Sequence, residues 1–167
     1  MSTLRQKSFL ATLASDNTPL IIGCPHGLPV LMLGEGDNDV AFIFYFRCEG
    51  DYYNIYVRTE GDQFGRTLDE HYKTYKGGKT RLITTSTAEV PTSFNILDSN
   101  ERILTLDNLA SNKEDIRLQT RDGKKLKIEF AIWEGLPSII ETSKYSSNLT
   151  LNILERNAPY LGFPDEV

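Results

Sequence analysis

Tryptophan, histidine and cysteine are the scarce residues of this chain: one Trp, two His and two Cys in 167 residues. Cys24, Cys48, His26 and His71 lie too far apart, and lack the paired spacing, to build a structural zinc site, so no metal is expected. Cys24 and His26 are separated only by Pro25. Near neighbours in a turn seldom bring a thiolate and its base into hydrogen-bond geometry, so a cysteine hydrolase is not expected either. The simplest reading of Cys24 and Cys48 is two buried thiols in a reducing compartment rather than a disulfide. Phosphate-binding glycine loops, a dinucleotide fingerprint and a nucleophile elbow are all missing, which points away from an enzyme and implies no cofactor.

Positive charge is also thin. Lys and Arg number 18 against 23 Asp and Glu, for a net charge of −5, and the densest basic group is Lys124, Lys125 and Lys127. Nucleic acid needs a concentrated positive footprint, so it is not an expected partner. Long hydrophobic runs are lacking as well: residues 40–46 form the longest strongly apolar stretch, far short of the roughly 20 residues that span a bilayer. The first ten residues lead into a short apolar stretch broken by Ser15, Asp16 and Asn17, without the apolar core of a secretory signal. The expectation is a soluble, cytoplasmic protein with no membrane partner, in which the sequon Asn148-Leu149-Thr150 carries little weight.

Helical periodicity is weak too, its best segment, 106–118, being interrupted by Asn108, Ser111 and Asn112. What is present is strand signal. Short strands are predicted at 8–14, 20–24, 29–34, 40–47, 52–58, 63–67, 80–87, 92–97, 102–107, 115–120, 124–132, 138–142 and 148–154. Glycine, Asp and Asn punctuate them, as at 34–39, 49–51, 60–62, 77–78 and 122–123. The clearest hairpin has Ile116, Leu118 and Thr120 on one arm and Leu126, Ile128 and Phe130 on the other, alternating about Arg121-Asp122-Gly123. The acidic turn at 34–39 lacks the register of a calcium loop and reads as solvated.

Phe44 and Phe94 stand fifty positions apart, and the same offset carries Tyr53 onto Ile103 and Tyr56 onto Leu106. Leu151 and Ile153 fall where a third copy would place them, which divides the chain into units at 8–47, 52–98 and 102–155. In this threefold pattern the chain resembles the β-trefoil superfamily. The resemblance implies a single all-β domain over 1–167, with six strands closing a barrel, six forming a hairpin cap, and Phe44, Ile55, Phe94, Ile96, Ile103 and Ile153 in the core. A two-sheet β-sandwich is the alternative. The Gln-x-Trp signature of the ricin-B lectins is absent, and no inhibitory loop of the Kunitz-type or fungal cysteine-protease inhibitors is matched.

For function, the resemblance and the loop chemistry imply a non-catalytic binding protein. Lectin-like recognition of a glycan is the first expectation, and a protease inhibitor inserting a loop into a protein target is the second. The candidate ligand-binding residues are Trp133, which lies at the end of a strand, and Asp69, His71, Tyr72 and Tyr75, in a segment 69–79 read as an exposed loop. The apolar, proline-rich stretch 157–167 reads as a strap over the barrel end.

Overall fold

The computed structural model describes residues 7–35, 39–75, 78–133, 136–142 and 144–159; at 73, 75, 78–80, 130–133 and 136–138 it describes the backbone alone. Thirteen strands run in the order β1 (Phe9–Ser15), β2 (Thr18–Gly23), β3 (Val30–Leu33), β4 (Phe44–Cys48), β5 (Tyr53–Val57), β6 (Thr67–Tyr75), β7 (Gly78–Ser86), β8 (Phe94–Leu97), β9 (Ile103–Leu104), β10 (Lys113–Thr120), β11 (Lys125–Trp133), β12 (Leu136–Thr142) and β13 (Leu149–Glu155). Two short 3-10 turns, Pro25–Gly27 and Leu106–Asn108, accompany them.

Turn chemistry starts each hairpin. Asp16 and Asn17 both take positive φ, 47° and 65°, the twist a two-residue connection needs to join β1 to β2. Gly123, at φ 97°, closes the turn from β10 to β11. Alternation then decides which face is buried: in β10, Ile116, Leu118 and Thr120 point inward, and across the turn Leu126 joins them. In β5 every residue is buried, because its outward Tyr56 is covered in turn. Tyr56, Tyr45, Ala158 and the flank of Leu10 form a small outer cluster. The described start of the C-terminal stretch ties this cluster down, since Ala158 N donates to Ser8 O at 2.8 Å and the Tyr45 hydroxyl donates to Pro159 O at 2.8 Å.

All strands belong to one antiparallel sheet closed on itself. Hydrogen-bonded neighbours pass without an edge through β1, β2, β3, β12, β7, β6, β5, β8, β10 and β13 and back to β1. Strand β4 bridges β1 and β5, which gives a shorter circuit of six, and the hairpins β2–β3, β6–β7 and β11–β12 meet through β3–β7, β7–β12 and β3–β12. Closure leaves few free edges to recruit another chain.

The expected β-trefoil is therefore corrected to a closed antiparallel barrel. The hairpins β2–β3 and β6–β7, with strand β12, are hydrogen-bonded into a ring of ten strands, and β11 pairs outside that ring with β10 and β12. The alternative, a two-sheet sandwich, is corrected on the same ground, because a single sheet closes on itself. The all-β character stands.

The core fills the barrel. Phe9 stacks on Phe46, and Tyr53 meets both rings edge-on at 5.4 and 6.1 Å. Phe44, Ile55, Phe94, Ile96 and Ile153 are buried as expected, whereas Ile103 is 48% exposed, because its two-residue strand β9 pairs only along the outer side of β8. A second cluster, Val30, Met32, Leu82 and Ile140, sits where the three hairpins meet.

Local predictions are corrected in several places; of the strand expected at 102–107 only Ile103–Leu104 forms, and a 3-10 turn follows at Leu106–Asn108. Residues 63–66 form a turn, bent by Gly61 and Gly65 at φ 132° and 77°. Residues 40–43 precede β4 rather than belonging to it. In the segment 69–79, residues 69–75 and 78–79 are no loop but paired arms of β6 and β7, in register from Thr67↔Ser86 to Tyr75↔Gly78, while 76–77 lie outside the described residues. Cys48 is buried as read from the sequence, but Cys24 is exposed, and neither forms a disulfide.

Candidate functional site

A recess of about 220 Å³ opens where three parts of the chain converge. Glu70 comes from β6, Thr92 and Ser93 from the approach to β8, and Thr120, Arg121 and Asp122 from the end of β10 and its turn. Backbone pairing fixes the walls. Thr120 pairs with Phe94 in the β8–β10 ladder, and Arg121 N donates to Ser93 O at 2.8 Å. The Ser93 hydroxyl donates to Asn54 Oδ1 at 3.1 Å, and the Asn95 amide donates to Asp51 O at 2.9 Å.

Charge in the recess is mixed. The Arg121 guanidinium lies flat over the Tyr52 ring, 3.9 Å from its centroid, and forms no ion pair among the described residues. The Thr120 hydroxyl donates to the Asp122 carboxylate, and Lys124 N donates back to that hydroxyl at 3.0 Å. The rim thus offers one flat cation, two carboxylates and three hydroxyl-bearing residues within a small opening.

Asp69 does not line the recess but holds its floor. Its carboxylate accepts from Glu70 N at 3.0 Å, Thr92 N at 3.2 Å and Ser86 Oγ at 2.9 Å, and from the Thr92 hydroxyl. Four donors on one side chain bind the start of β6 to the segment leading into β8.

Behind Glu70 lies a second group of charges. Arg81 Nη1 sits 3.1 Å from Glu141 Oε2 and 3.5 Å from Glu70 Oε2, and the Tyr72 ring covers its guanidinium at 4.4 Å. The Glu141 side chain is 1% exposed. Burial, with the neighbouring Glu70 adding to it and Arg81 opposing, pushes the Glu141 carboxyl up to about 7.

The residues singled out from the sequence fall in different places. Tyr72, about half exposed, is the lid on Arg81; His71 is exposed on the other face of β6. Tyr75 pairs with Gly78 at the hairpin tip and Trp133 with Leu136 at the end of β11, while both side chains lie outside the described residues. Of the three whose side chains are described, Asp69 adjoins the recess, and His71 and Tyr72 do not line it. Glu70, Thr92, Ser93, Thr120, Arg121 and Asp122 were not singled out. The available signal was the Arg121-Asp122-Gly123 turn, which has a cation and an acid at a hairpin tip. Among the described residues no three His, Cys, Asp or Glu are grouped to hold a metal ion, and no helix is long and apolar enough to cross a membrane.

No family model matches the chain, and no curated protein matches it. Among solved structures the fold is similar to that of an entity titled "type II water soluble Chl binding proteins", with a TM-score of 0.59 and 10% identity over 88% of this chain and 90% of that one. The expectations of a glycan lectin and of a loop-inserting inhibitor, with glycan or protein partners, rested on the trefoil resemblance. They are corrected by this finding, since the matched protein binds chlorophyll by its title; of the segment 69–79 read as an exposed loop, residues 69–75 and 78–79 are paired strand.

Proposed function

We propose that this chain is a non-catalytic carrier of a planar, largely apolar ring pigment of the chlorophyll class, held on the outside of the barrel with one polar edge in the recess at Arg121. The observation that carries the reading is the likeness of fold, over most of both chains, to a chlorophyll-binding protein.

The local chemistry supports an outer site. Phe9, Phe44, Phe46, Tyr53 and Phe94 pack in the barrel interior, each 0% exposed, whereas the recess opens on the outside. The recess, at about 220 Å³, is smaller than the roughly 300–1,000 Å³ of pockets that engulf a ligand. It suits an edge. A keto or carboxylate group on the pigment's periphery would accept from the Arg121 guanidinium, and the ring plane would extend the stack that Arg121 already makes on Tyr52. The guanidinium and hydroxyls of the lining suit hydrogen bonding to a pigment's polar rim.

The test is reconstitution. The purified protein is mixed with detergent-dispersed chlorophyll and passed through a sizing column, and red absorbance is followed against protein. Pigment should co-elute at a fixed ratio, and Arg121→Ala should weaken retention about tenfold, the loss of one charge-assisted contact. Retention no greater than that of an unrelated barrel protein would overturn the proposal.

A further inference from the structure

We propose that Glu141, Glu70 and Arg81 form a proton-operated clasp between hairpin β6–β7 and strand β12, closed when Glu141 holds a proton and loosened when it gives that proton up. The clasp goes beyond the ligand reading and does not depend on what the recess binds.

The geometry leaves a vacancy for one proton. Glu141 Oε2 accepts from Arg81, but Glu141 Oε1 is buried and has no hydrogen-bond donor among the described residues. A single guanidinium faces two carboxylates, and an unbalanced negative charge in a sealed place is costly. A proton on Glu141 removes both faults, because the carboxyl then donates to Glu70, its hydrogen-bonding neighbour. Glu70 then accepts from Glu141 and stays ion-paired with Arg81 at 3.5 Å, so three strands are tied through one set of contacts.

Among the described side chains no other charge stands ready to take the proton's place; those of Lys73 and Lys79 lie outside them. Strand β3, which packs against β12, has no titratable residue among Val30, Leu31, Met32 and Leu33. On β11 the residue opposite Glu141 is Leu126; the flanking Lys125 and Lys127 pair with Glu101 and Glu129. On β6, Asp69 and His71 lie on the face opposite Glu70, and Asp69 is saturated by its own donors. On β7, Arg81 is the counter-ion already counted, with Tyr72 over it.

The sign follows from the raised Glu141 carboxyl. The folded protein holds this proton up to about pH 7, whereas an unfolded chain releases it near the ordinary Glu value of about 4.3. Between those limits the folded state binds more protons, so its stability is full below the lower limit and falls as pH rises to the upper one. Above neutrality Glu70 and Glu141 repel across Arg81, and β6–β7 loosens from β12. Because Glu70 also lines the recess, that opening loosens one wall of it.

Amide hydrogen exchange, corrected for intrinsic rates, tests the clasp between pH 5.5 and 8.5. Protection in β6, β7 and β12 should fall about tenfold or more across this range, the linkage expected of one such proton, while β1 and β4 keep theirs. Glu141→Gln, neutral and of the same shape, should hold its protection at pH 8.5. If that variant does not fold, Glu70→Gln removes the repulsion from the other side and should flatten the same profile. Wild-type infrared spectra should also show a protonated carboxyl band at pH 6 that is gone by pH 8.5. A flat wild-type exchange profile, a folded Gln variant that keeps the wild-type slope, or no such band at pH 6 would each overturn the proposal.

Discussion

The ring of Phe9 lies flat on the ring of Phe46, with centroids 4.6 Å apart and planes within 7°. The two residues are cross-strand partners in the β1–β4 ladder, and both are fully buried. This pair therefore joins the start of the chain to the strand that bridges β1 and β5. Phe46→Ala removes the stack and opens a void beneath Tyr53, and it should cost about 3–5 kcal/mol. Urea unfolding checks this: the midpoint should drop with an unchanged slope, and a loss under about 1 kcal/mol would mean that the site collapses freely.

Tyr53 contributes a hydroxyl as well as a ring. It donates to Lys7 O at 3.1 Å and accepts from Leu106 N at 3.1 Å, pinning the residue before β1 and the 3-10 turn after β9 to the barrel. Tyr53→Phe keeps the packing but strands a buried N–H and a C=O, for an expected loss of about 1–3 kcal/mol. Burial holds the phenol well above the ordinary tyrosine range. An alkaline titration followed at the phenolate absorbance should therefore show Tyr53 ionising only as the protein unfolds.

Asp69 was picked from the sequence as a ligand contact, and its geometry gives it a positioning task. Its carboxylate takes four donors, two of them from Thr92. Asp69→Asn turns an NH₂ group toward some of those donors, so a loss of about 1–3 kcal/mol is expected. Because Thr92 and Ser93 wall the recess, ligand retention should fall together with stability. Weakened retention at full stability would instead place Asp69 in direct contact with the ligand.

The elements legible in the sequence are those whose signal is local. The β10–β11 hairpin was plain because Ile116, Leu118 and Leu126 alternate with polar residues about a glycine turn. The matching positions of Phe44 and Phe94 were legible for the same reason, and both open buried strands. Residues 63–66 looked like strand because Phe64 suggests one, but Gly61 and Gly65 bend the backbone where only glycine is at ease. Strand β7 was legible at 80–87, but its partner β6 was hidden by the polar run from Asp69 to Thr74. Nothing local marks Glu141 as buried, since its burial comes from β12 meeting β7 and β6, which lie about sixty residues earlier in the chain. The same long-range meeting of hairpins closes the ring of ten strands. The recess was illegible because it joins three separate segments.

The two cysteines differ in a way that chemistry can count. Cys48 is fully buried at the end of β4, its thiol donates to Gly50 O at 3.2 Å, and burial raises its pKa; Cys24 is exposed beside the Pro25 turn. The thiolate is the reactive form, so burial protects Cys48 twice, by blocking access and by keeping the proton on sulfur. A disulfide-exchange reagent at pH 8 should therefore titrate one thiol quickly in the native protein and the second only in denaturant. Cys24→Ser should abolish the fast phase and leave the slow one, whose rate then reports opening of β4 from the core. Two equally fast thiols in the native protein would contradict the packing of β4 against Phe9 and Tyr53.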